Sequence, residues 1–172
     1  LMSEMIDVLQ DGHVNLYAPF DVSSCTGWFD SYPADYNADF LSKHFDSELR
    51  SAGGFAYTTI ENGKIGYIRY SSFSNVFSMT NLAYIDALFH EFNNTEGIII
   101  DVRNNGGGSL DYSKRLASCF FKEKTTTGYM QHKTSECHDC FSDPTPIVTD
   151  PKYAPIDWSD KQVIVLSNRR CY

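Results

Sequence analysis

The fold of this chain is decided by the stretch Gly97-Ile98-Ile99-Ile100-Asp101-Val102-Arg103-Asn104-Asn105-Gly106-Gly107-Gly108-Ser109-Leu110. Its continuous apolar run predicts a strand buried on both faces, and three glycines separate that strand from a predicted amphipathic helix over 110–120. Glycines allow positive φ and expose backbone N–H groups beside the positive end of the following helix. Such a turn can hold a phosphate, another anion or the oxyanion of an acyl-transfer intermediate, or it can be a purely structural tight turn.

The composition is that of an ordinary globular domain. The chain has 172 residues, of which 42% are hydrophobic and 21% charged, enough for one buried core. Fourteen basic and 22 acidic residues give a net charge of −8, so we expect no nucleic-acid partner, because the phosphate backbone would be repelled. Apolar runs reach only about five residues, whereas a membrane-spanning helix needs roughly 20, so no membrane span is expected.

Hydrophobic periodicity predicts several further elements. The first ten residues form an apolar helical stripe without a cap signal, so we expect the sequence to begin inside a larger protein. We expect that a secretory leader, if one existed, has been removed, which leaves the compartment open. Asn62-Gly63 predicts a hairpin turn. The pattern also predicts helices over 40–49 and 80–92, strands over 55–60, 64–70, 125–133 and 162–166 (the last one buried), and a proline-rich loop over 143–158.

The motif Cys137-His138-Asp139-Cys140 has the spacing of half a zinc site or of a redox dithiol. A zinc site needs a second ligand pair, and the redox motif should open a helix, whereas a proline-rich loop follows here. We therefore favour a local disulfide or two free thiols in a surface loop, and we expect no metal.

Four motifs occur in one order along the chain: Asp11-Gly12-His13, Lys64-Ile65-Gly66-Tyr67-Ile68-Arg69-Tyr70 with Phe73 shortly after, the stretch 97–108, and Val163-Ile164-Val165-Leu166-Ser167-Asn168-Arg169-Arg170-Cys171-Tyr172. Together they resemble the tail-specific, or C-terminal processing, serine peptidases, whose relatives include the tricorn protease core and the interphotoreceptor retinoid-binding protein. The resemblance implies an α/β fold. A crotonase-like (ClpP/crotonase) core with a mixed sheet and flanking helices would occupy 55–172, after a small helical element and aromatic linker in 1–54.

Many of these peptidases carry a PDZ domain between the first two motifs. Here only about 45 residues separate them, whereas a PDZ domain runs to roughly 90 on the size scale of small domains. We therefore expect no PDZ domain and no recognition of a free substrate C-terminus.

The resemblance places the nucleophilic serine at the start of the helix that follows the turn after 163–166, just past Tyr172. Ser167 still lies at the strand end and does not replace it. The implied function is a serine-type endopeptidase that hydrolyses polypeptides without a cofactor, outside the cytoplasm (periplasm, cell envelope or secreted). The chain by itself is expected to be inactive, and its oligomeric state is left open.

His13 is implied as the general base, because the tricorn branch has a histidine at this position. The tail-specific branch uses a lysine instead, and a histidine that only fixes a turn is a further alternative. The other four histidines match no motif and are expected at the surface: His44, His90, His132 and His138.

The glycine turn is implied to supply oxyanion-hole N–H groups from Gly106, Gly107 and Gly108, with Gly107 or Gly108 preferred. The same groups can instead hold the substrate main chain by strand addition. Asp101 and Arg103 are expected to brace this turn by ion pairing. Three aromatic residues, Tyr70, Phe73 and Phe77, are candidates for an apolar substrate pocket or for core packing.

Two other classes of function remain open. The first is a noncatalytic relative that binds peptides or apolar ligands in the same cleft, as the retinoid-binding member suggests. The second is a crotonase-like enzyme acting on coenzyme A thioesters, although the acidic chain offers little to meet their phosphates.

Overall fold

The chain is built around a five-stranded mixed sheet. The computed structural model describes residues 2–25, 29, 31–74 and 82–172. Its helices are α1 (Met2–Asp7), α2 (Ala38–Ser42), α3 (Leu82–Glu91) and α4 (Leu110–Ser118), with 3₁₀ turns at Phe92–Asn94 and Pro151–Tyr153. Its strands are β1 (Asn15–Ala18), β2 (Asp21–Ser24), β3 (Arg50–Ala52), β4 (Phe55–Ile60), β5 (Ile65–Tyr70), β6 (Gly97–Asp101), β7 (Thr125–Met130), β8 (Thr145–Thr149) and β9 (Gln162–Leu166).

The order of the main sheet is β3-β4-β5-β6-β9. β3, β4 and β5 are antiparallel, whereas β6 runs parallel to both β5 and β9. The strand that the sequence predicts at 97–102 therefore lies between two parallel neighbours, which confirms a mixed sheet with helices. Two separate hairpins, β1–β2 and β7–β8, extend from it. β3 lies within the 1–54 segment and pairs with β4; the division of the chain at 54/55 stays a prediction.

The β4–β5 turn forms as the Asn-Gly signal predicts. Asn62 and Gly63 both have positive φ, at 56° and 82°, and their N–H groups donate to the Asp46 carboxylate at 3.0 and 2.7 Å. These bonds hold the pKa of Asp46 below its ordinary value, with the bond from Gly63 as the largest cause.

The core is an aromatic cluster to which the sheet, α3 and α4 all contribute. Trp158 is 1% exposed and packs edge-on against Phe89, with ring centroids 4.8 Å apart. Its backbone N–H donates to the Cys119 carbonyl at 2.7 Å, which fastens the segment after β8 to the end of α4. The other fully buried large apolar side chains are Tyr70, Phe55, Phe92, Ile68, Leu88 and Ile98.

Two of the differences from the sequence expectation have a clear structural cause. The helix predicted at 40–49 spans only Ala38–Ser42, since Asn37 caps its start and Phe45 pairs as a β-bridge with Ile60. The proline-rich segment contains β8, which pairs with β7 although Pro146 lies within it. Proline is tolerated there because β8 belongs to a two-stranded ribbon, where one side of each strand needs no ladder partner.

The prediction that the last strand is buried is wrong. Val163, Ile164 and Val165 are 40%, 58% and 58% exposed. β9 is the edge of the sheet, and β6 is its one partner among the described residues. The apolar run gives the strand correctly but does not tell a central position from an edge position.

No helix within the described ranges combines the length and apolar character needed to cross a membrane.

Candidate active site

The glycine turn after β6 has a conformation that only glycine can adopt at one position. Gly107 and Gly108 have φ values of 77° and 135°. A β-carbon on Gly108 would lie 2.4 Å from the carbonyl oxygen of Phe73 and 2.5 Å from its carbon. At Gly106, by contrast, an added β-carbon would meet nothing within 4 Å.

The three glycine N–H groups differ in their partners. Gly106 donates to the Ser71 carbonyl at 3.0 Å, and Gly107 donates to the Asn105 side chain at 2.8 Å. For Gly108, no acceptor occurs among the described residues. The Gly107 carbonyl accepts from the Phe73 N–H at 2.7 Å. In a planar trans peptide the O and H atoms point to opposite sides, so the N–H of Gly108 points away from Phe73.

Asn105 fixes the turn from within, a role that the sequence analysis did not assign. It is 2% exposed, and its side chain donates to the Tyr70 carbonyl at 2.7 Å while accepting from Gly107. Its backbone carbonyl accepts from the Tyr172 N–H at 2.9 Å. The available signal was a polar residue placed directly before a glycine run, where a carboxamide can satisfy the turn's own backbone.

His13 lies against the last residue of the chain. Its ring meets the Tyr172 ring edge-on, with centroids 3.8 Å apart. Its backbone N–H and Nδ1 both contact Oδ1 of Asp11, at 2.9 and 3.1 Å, and the Tyr172 hydroxyl donates to the same oxygen at 2.9 Å. The His13 side chain is 72% exposed, so its ring is open to solvent beyond these contacts.

These hydrogen bonds also lower the pKa of the Asp11 carboxyl group. The backbone N–H of His13, the Tyr172 hydroxyl and the His13 ring, in that order of effect, hold the pKa of Asp11 below its ordinary value. Burial and the same bond to Asp11 raise the pKa of Tyr172.

Tyr172 brings His13 and the glycine turn to one place. A β-carbon on Gly107 would lie 3.4 Å from the Tyr172 carbonyl oxygen, while the Tyr172 ring contacts His13. His13 and Gly107 therefore both lie beside Tyr172, whereas the separation between His13 and the N–H groups of Gly107 and Gly108 stays a prediction. Their catalytic roles stay predictions.

The brace behind the turn is a buried ion pair. Asp101 is fully buried. Its carboxylate accepts hydrogen bonds from three groups of Arg103: the backbone N–H and Nε, both at 3.0 Å, and Nη2 at 2.6 Å. The Tyr67 hydroxyl donates to it at 2.7 Å, and Nη1 of Arg69 lies 3.7 Å away. Burial raises the pKa of Asp101, but the bonds from Arg103 and Tyr67 outweigh this and hold it below 3.8. The expected ion-pair brace is confirmed.

Residues 32–36, which we call the latch segment, bond to the Asn168–Arg170 turn that follows β9. We call this set of contacts the latch. Asn168 donates to the Ala34 carbonyl at 2.6 Å. Arg169 bonds the Tyr32 hydroxyl at 2.9 Å, and Arg170 bonds the Tyr32 carbonyl at 2.5 Å. The sequence alone gives no sign of this latch, because nothing local in 32–36 signals a partner so distant along the chain.

The residues proposed for an apolar substrate pocket lie in different surroundings. Tyr70 is fully buried in the core, where it packs against Phe55 and Phe73 at centroid distances of 4.4 and 4.6 Å. Phe73 is partly buried and lines an apolar cavity of about 460 Å³ between α4 and the β6–β9 face. Phe77 lies outside the described residues.

Cys137 and Cys140 form a disulfide in an exposed loop, which confirms the favoured prediction. Within the described residues, no group of three or more His, Cys, Asp or Glu side chains is arranged to hold a metal ion. The four other histidines are exposed, as expected.

Residues 64–172 match the model of peptidase family S41. Among solved structures, the chain is similar to a candidate peptidase from Parabacteroides merdae, with 36% identity, coverage of 98% of this chain and 52% of that chain, and a TM-score of 0.83. A candidate S41 protease from Bacteroides fragilis has 18% identity, coverage of 71% and 33%, and a TM-score of 0.44. A photosystem II D1 C-terminal processing protease has 21% identity, coverage of 60% and 24%, and a TM-score of 0.37. No curated protein matches the chain.

The chain thus spans about half the length of the Parabacteroides merdae relative. The family match covers more than half of this chain and includes the glycine turn and β9, whereas His13 precedes it. These findings confirm the family resemblance that the four motifs indicated: the chain belongs to peptidase family S41.

Proposed function

We propose that this chain is part of a serine-type endopeptidase in which His13 is the general base and the glycine turn forms the oxyanion hole. The observation that carries the proposal is the meeting of His13 and Gly107 at Tyr172. The nucleophilic serine would follow Tyr172 directly, so it would emerge between the base and the turn. The coverage of only half of the Parabacteroides merdae relative supports a complete enzyme longer than these 172 residues.

The chemistry follows the usual order of serine peptidases. The serine hydroxyl would give its proton to Nε2 of His13 while its oxygen attacks the scissile carbonyl. The carbonyl oxygen then becomes an oxyanion, and His13 returns the proton to the leaving amine. Residues 1–172 alone lack that serine and would be inactive.

Gly108 is the strongest candidate for the oxyanion donor. The N–H groups of Gly106 and Gly107 are already bound within the protein, whereas that of Gly108 has no described acceptor and points away from Phe73. A prealigned backbone N–H lowers the barrier by roughly 3 kcal/mol. Gly106 and Gly107 would then shape the turn, and the alternative of strand addition by the substrate main chain uses the same open side.

Substrate and setting come from the family. The substrate would be a polypeptide, the core crotonase-like, no cofactor would be needed, and the enzyme would work outside the cytoplasm. The Cys137–Cys140 disulfide supports an oxidising compartment.

The test uses the complete gene product and residues 1–172 side by side. We expect the complete protein to hydrolyse a fluorescent casein substrate and to be labelled by a fluorophosphonate at a serine after Tyr172, while 1–172 shows neither. His13→Ala should abolish hydrolysis without lowering the unfolding temperature. The control His138→Ala, which changes an exposed loop histidine, should retain full hydrolysis. Full activity in His13→Ala would contradict the assignment of the base, and labelling of residues 1–172 would contradict the position of the nucleophile.

A noncatalytic binding function is the second candidate, and the apolar cavity beside Phe73 favours it. It predicts saturable binding of retinol or a similar apolar fluorophore by residues 1–172, and no fluorophosphonate labelling of the complete protein.

A further inference from the structure

Asp11 contacts both His13 and Tyr172 at the candidate site. One carboxylate oxygen, Oδ1, accepts from the His13 backbone N–H, faces Nδ1 of His13 and accepts from the Tyr172 hydroxyl. An ionised carboxylate can only accept hydrogen bonds, and the lowered pKa of Asp11 keeps it ionised at neutral pH. In the neutral ring, the hydrogen between Asp11 and His13 therefore belongs to Nδ1.

The position of that hydrogen decides what the imidazole can do. With the hydrogen on Nδ1, the lone pair of Nε2 is free to accept a proton. Among the described residues, none bonds to Nε2. His13 is largely exposed, so the tautomer of its ring is not set by a surrounding core and depends on these few contacts.

Tyr172 supports the same arrangement from the other side. The Tyr172 ring packs edge-on against the imidazole. Its hydroxyl donates to Oδ1 of Asp11, the same oxygen that faces Nδ1 of His13. Its backbone is in turn fixed by the bond to Asn105 in the glycine turn. The orientation of His13 is thereby linked to the turn that would carry the oxyanion.

We propose that Asp11 is a positioning residue, which keeps His13 in the tautomer that presents Nε2 as a base, with Tyr172 holding the carboxylate in place. The inference rests on the proposed function, in which His13 takes the proton of the nucleophile. When His13 has accepted that proton at Nε2, it is a cation, and the Asp11 carboxylate stabilises the positive charge until the proton passes to the leaving amine.

The first test needs no catalysis. Long-range ¹H–¹⁵N spectra of residues 1–172, recorded at alkaline pH with labelled histidine, should show His13 mainly with its hydrogen on Nδ1. Asp11→Ala should shift the population toward the Nε2–H tautomer, and Asp11→Asn should largely preserve it, because its amide oxygen can accept the same bonds. Tyr172→Phe, which keeps the ring contact and loses the hydroxyl, should give a smaller shift. An unchanged tautomer in Asp11→Ala would overturn the inference.

The second test measures turnover in the complete gene product. Asp11→Ala should lower kcat by about 10- to 100-fold, less than loss of the base itself, and leave KM within about twofold. Asp11→Asn should recover part of kcat, and Asp7→Ala, an exposed carboxylate on α1, should leave both unchanged. A purely structural role for Asp11 would instead lower the unfolding temperature and the active fraction without changing the tautomer.

The two proposals fail in different ways. If His13→Ala remains fully active, the proposed base is wrong, while the tautomer measurement still decides whether Asp11 sets the ring. If His13→Ala is inactive and Asp11→Ala is fully active, the positioning role is overturned and the proposed function stands.

Discussion

Gly108 lies so close to Phe73 that a β-carbon on the glycine would sit 2.4 Å from the phenylalanine carbonyl oxygen. The two residues form a parallel β-bridge, in which Phe73 donates to the Gly107 carbonyl and accepts from the Ser109 N–H, at 2.7 and 2.8 Å. The close approach packs the segment after β5 against the turn after β6. It also leaves the N–H of Gly108 on the opposite, open side of the turn.

We expect Gly108→Ala to destabilise the protein by about 2 to 4 kcal/mol, since the methyl group meets backbone that cannot yield and the φ of 135° is strained for alanine. Gly106→Ala is the matched control and should change the free energy of unfolding by less than about 0.5 kcal/mol, because its methyl group would point into open space. Urea unfolding of both variants checks this. Equal midpoints for the two would contradict the packing of Phe73 on Gly108.

The buried carboxylate of Asp101 gives a second prediction. Asp101→Asn removes the charge that pairs with Arg103 and leaves the guanidinium without its carboxylate, which should cost about 3 to 5 kcal/mol. Asp160→Asn breaks a pair with Lys122 whose partners are 87% and 68% exposed, so it should leave the free energy of unfolding nearly unchanged. Urea unfolding at neutral pH compares the two. A loss as small in Asp101→Asn as in Asp160→Asn would show that the brace contributes little.

The same carboxylate predicts a dependence on pH. The pKa of Asp101 in the folded protein is lowered from 3.8, so the folded state favours the ionised form. Its contribution to stability is therefore fully present above pH 3.8 and is lost as the pH falls through the lowered value. The difference in free energy of unfolding between the unsubstituted protein and Asp101→Asn should narrow over that acidic range. A constant difference would contradict the pKa shift.

The three free cysteines should differ in reactivity. Cys25 and Cys119 are buried, whereas Cys171 is partly exposed. Burial raises the pKa of Cys119 to about 12, so at pH 8 only about one Cys119 thiol in ten thousand is ionised. We expect iodoacetamide to label Cys171 first and Cys119 only after unfolding, as followed by peptide mass spectrometry. Denatured protein, in which all three should label, is the control, and early labelling of Cys119 would contradict its burial.

Local patterns were enough to predict β6, the glycine turn and the β4–β5 hairpin, because each depends on contiguous residues whose φ values or burial follow from their type. The position of β9 at the sheet edge was not predictable from its sequence, since a run such as Val163-Ile164-Val165-Leu166 is the same in a central and an edge strand.

The candidate site divides in the same way. His13 and the glycines were found through motifs, whereas the bonds from Asn105 to Tyr70, from Tyr172 to Asp11 and within the latch depend on residues far apart in the chain. Asn168, for example, bonds the Ala34 carbonyl across a separation of 134 residues. No window of sequence contains both partners, so polar residues in a loop gave no indication of which backbone groups they satisfy.

Asn168 is the centre of the latch and gives the last prediction. Its Oδ1 accepts from the N–H groups of Asn104 and Arg170, at 3.0 and 3.2 Å, and its Nδ2 donates to the Ala34 carbonyl and to Oδ1 of Asn104, at 2.6 and 2.9 Å. Asn168→Ala removes these four bonds and a weak bond from the Cys171 thiol to Oδ1 at 3.5 Å. It should cost about 2 kcal/mol, since partly buried partners are left unsatisfied. The backbone amide of Asn104, next to the glycine turn, should lose protection from hydrogen exchange.

Asn168→Asp distinguishes the hydrogen bonds that the Asn168 side chain accepts from those that it donates. A carboxylate can still accept from Asn104 and Arg170 but cannot donate, so the Asn104 amide should stay protected while the latch segment at 32–36 becomes accessible to protease. Ser167→Ala, on the exposed neighbour, is the control and should change neither readout. If the aspartate variant keeps residues 32–36 as protected as the unsubstituted chain does, the bond to Ala34 does not hold the latch segment. The hydrogen bonds from Arg169 and Arg170 to Tyr32 and from Arg103 to the Asp35 carbonyl would then carry it, together with the contacts of Arg169 and Arg170 with the rings of Tyr32 and Phe29, at 4.7 and 4.6 Å.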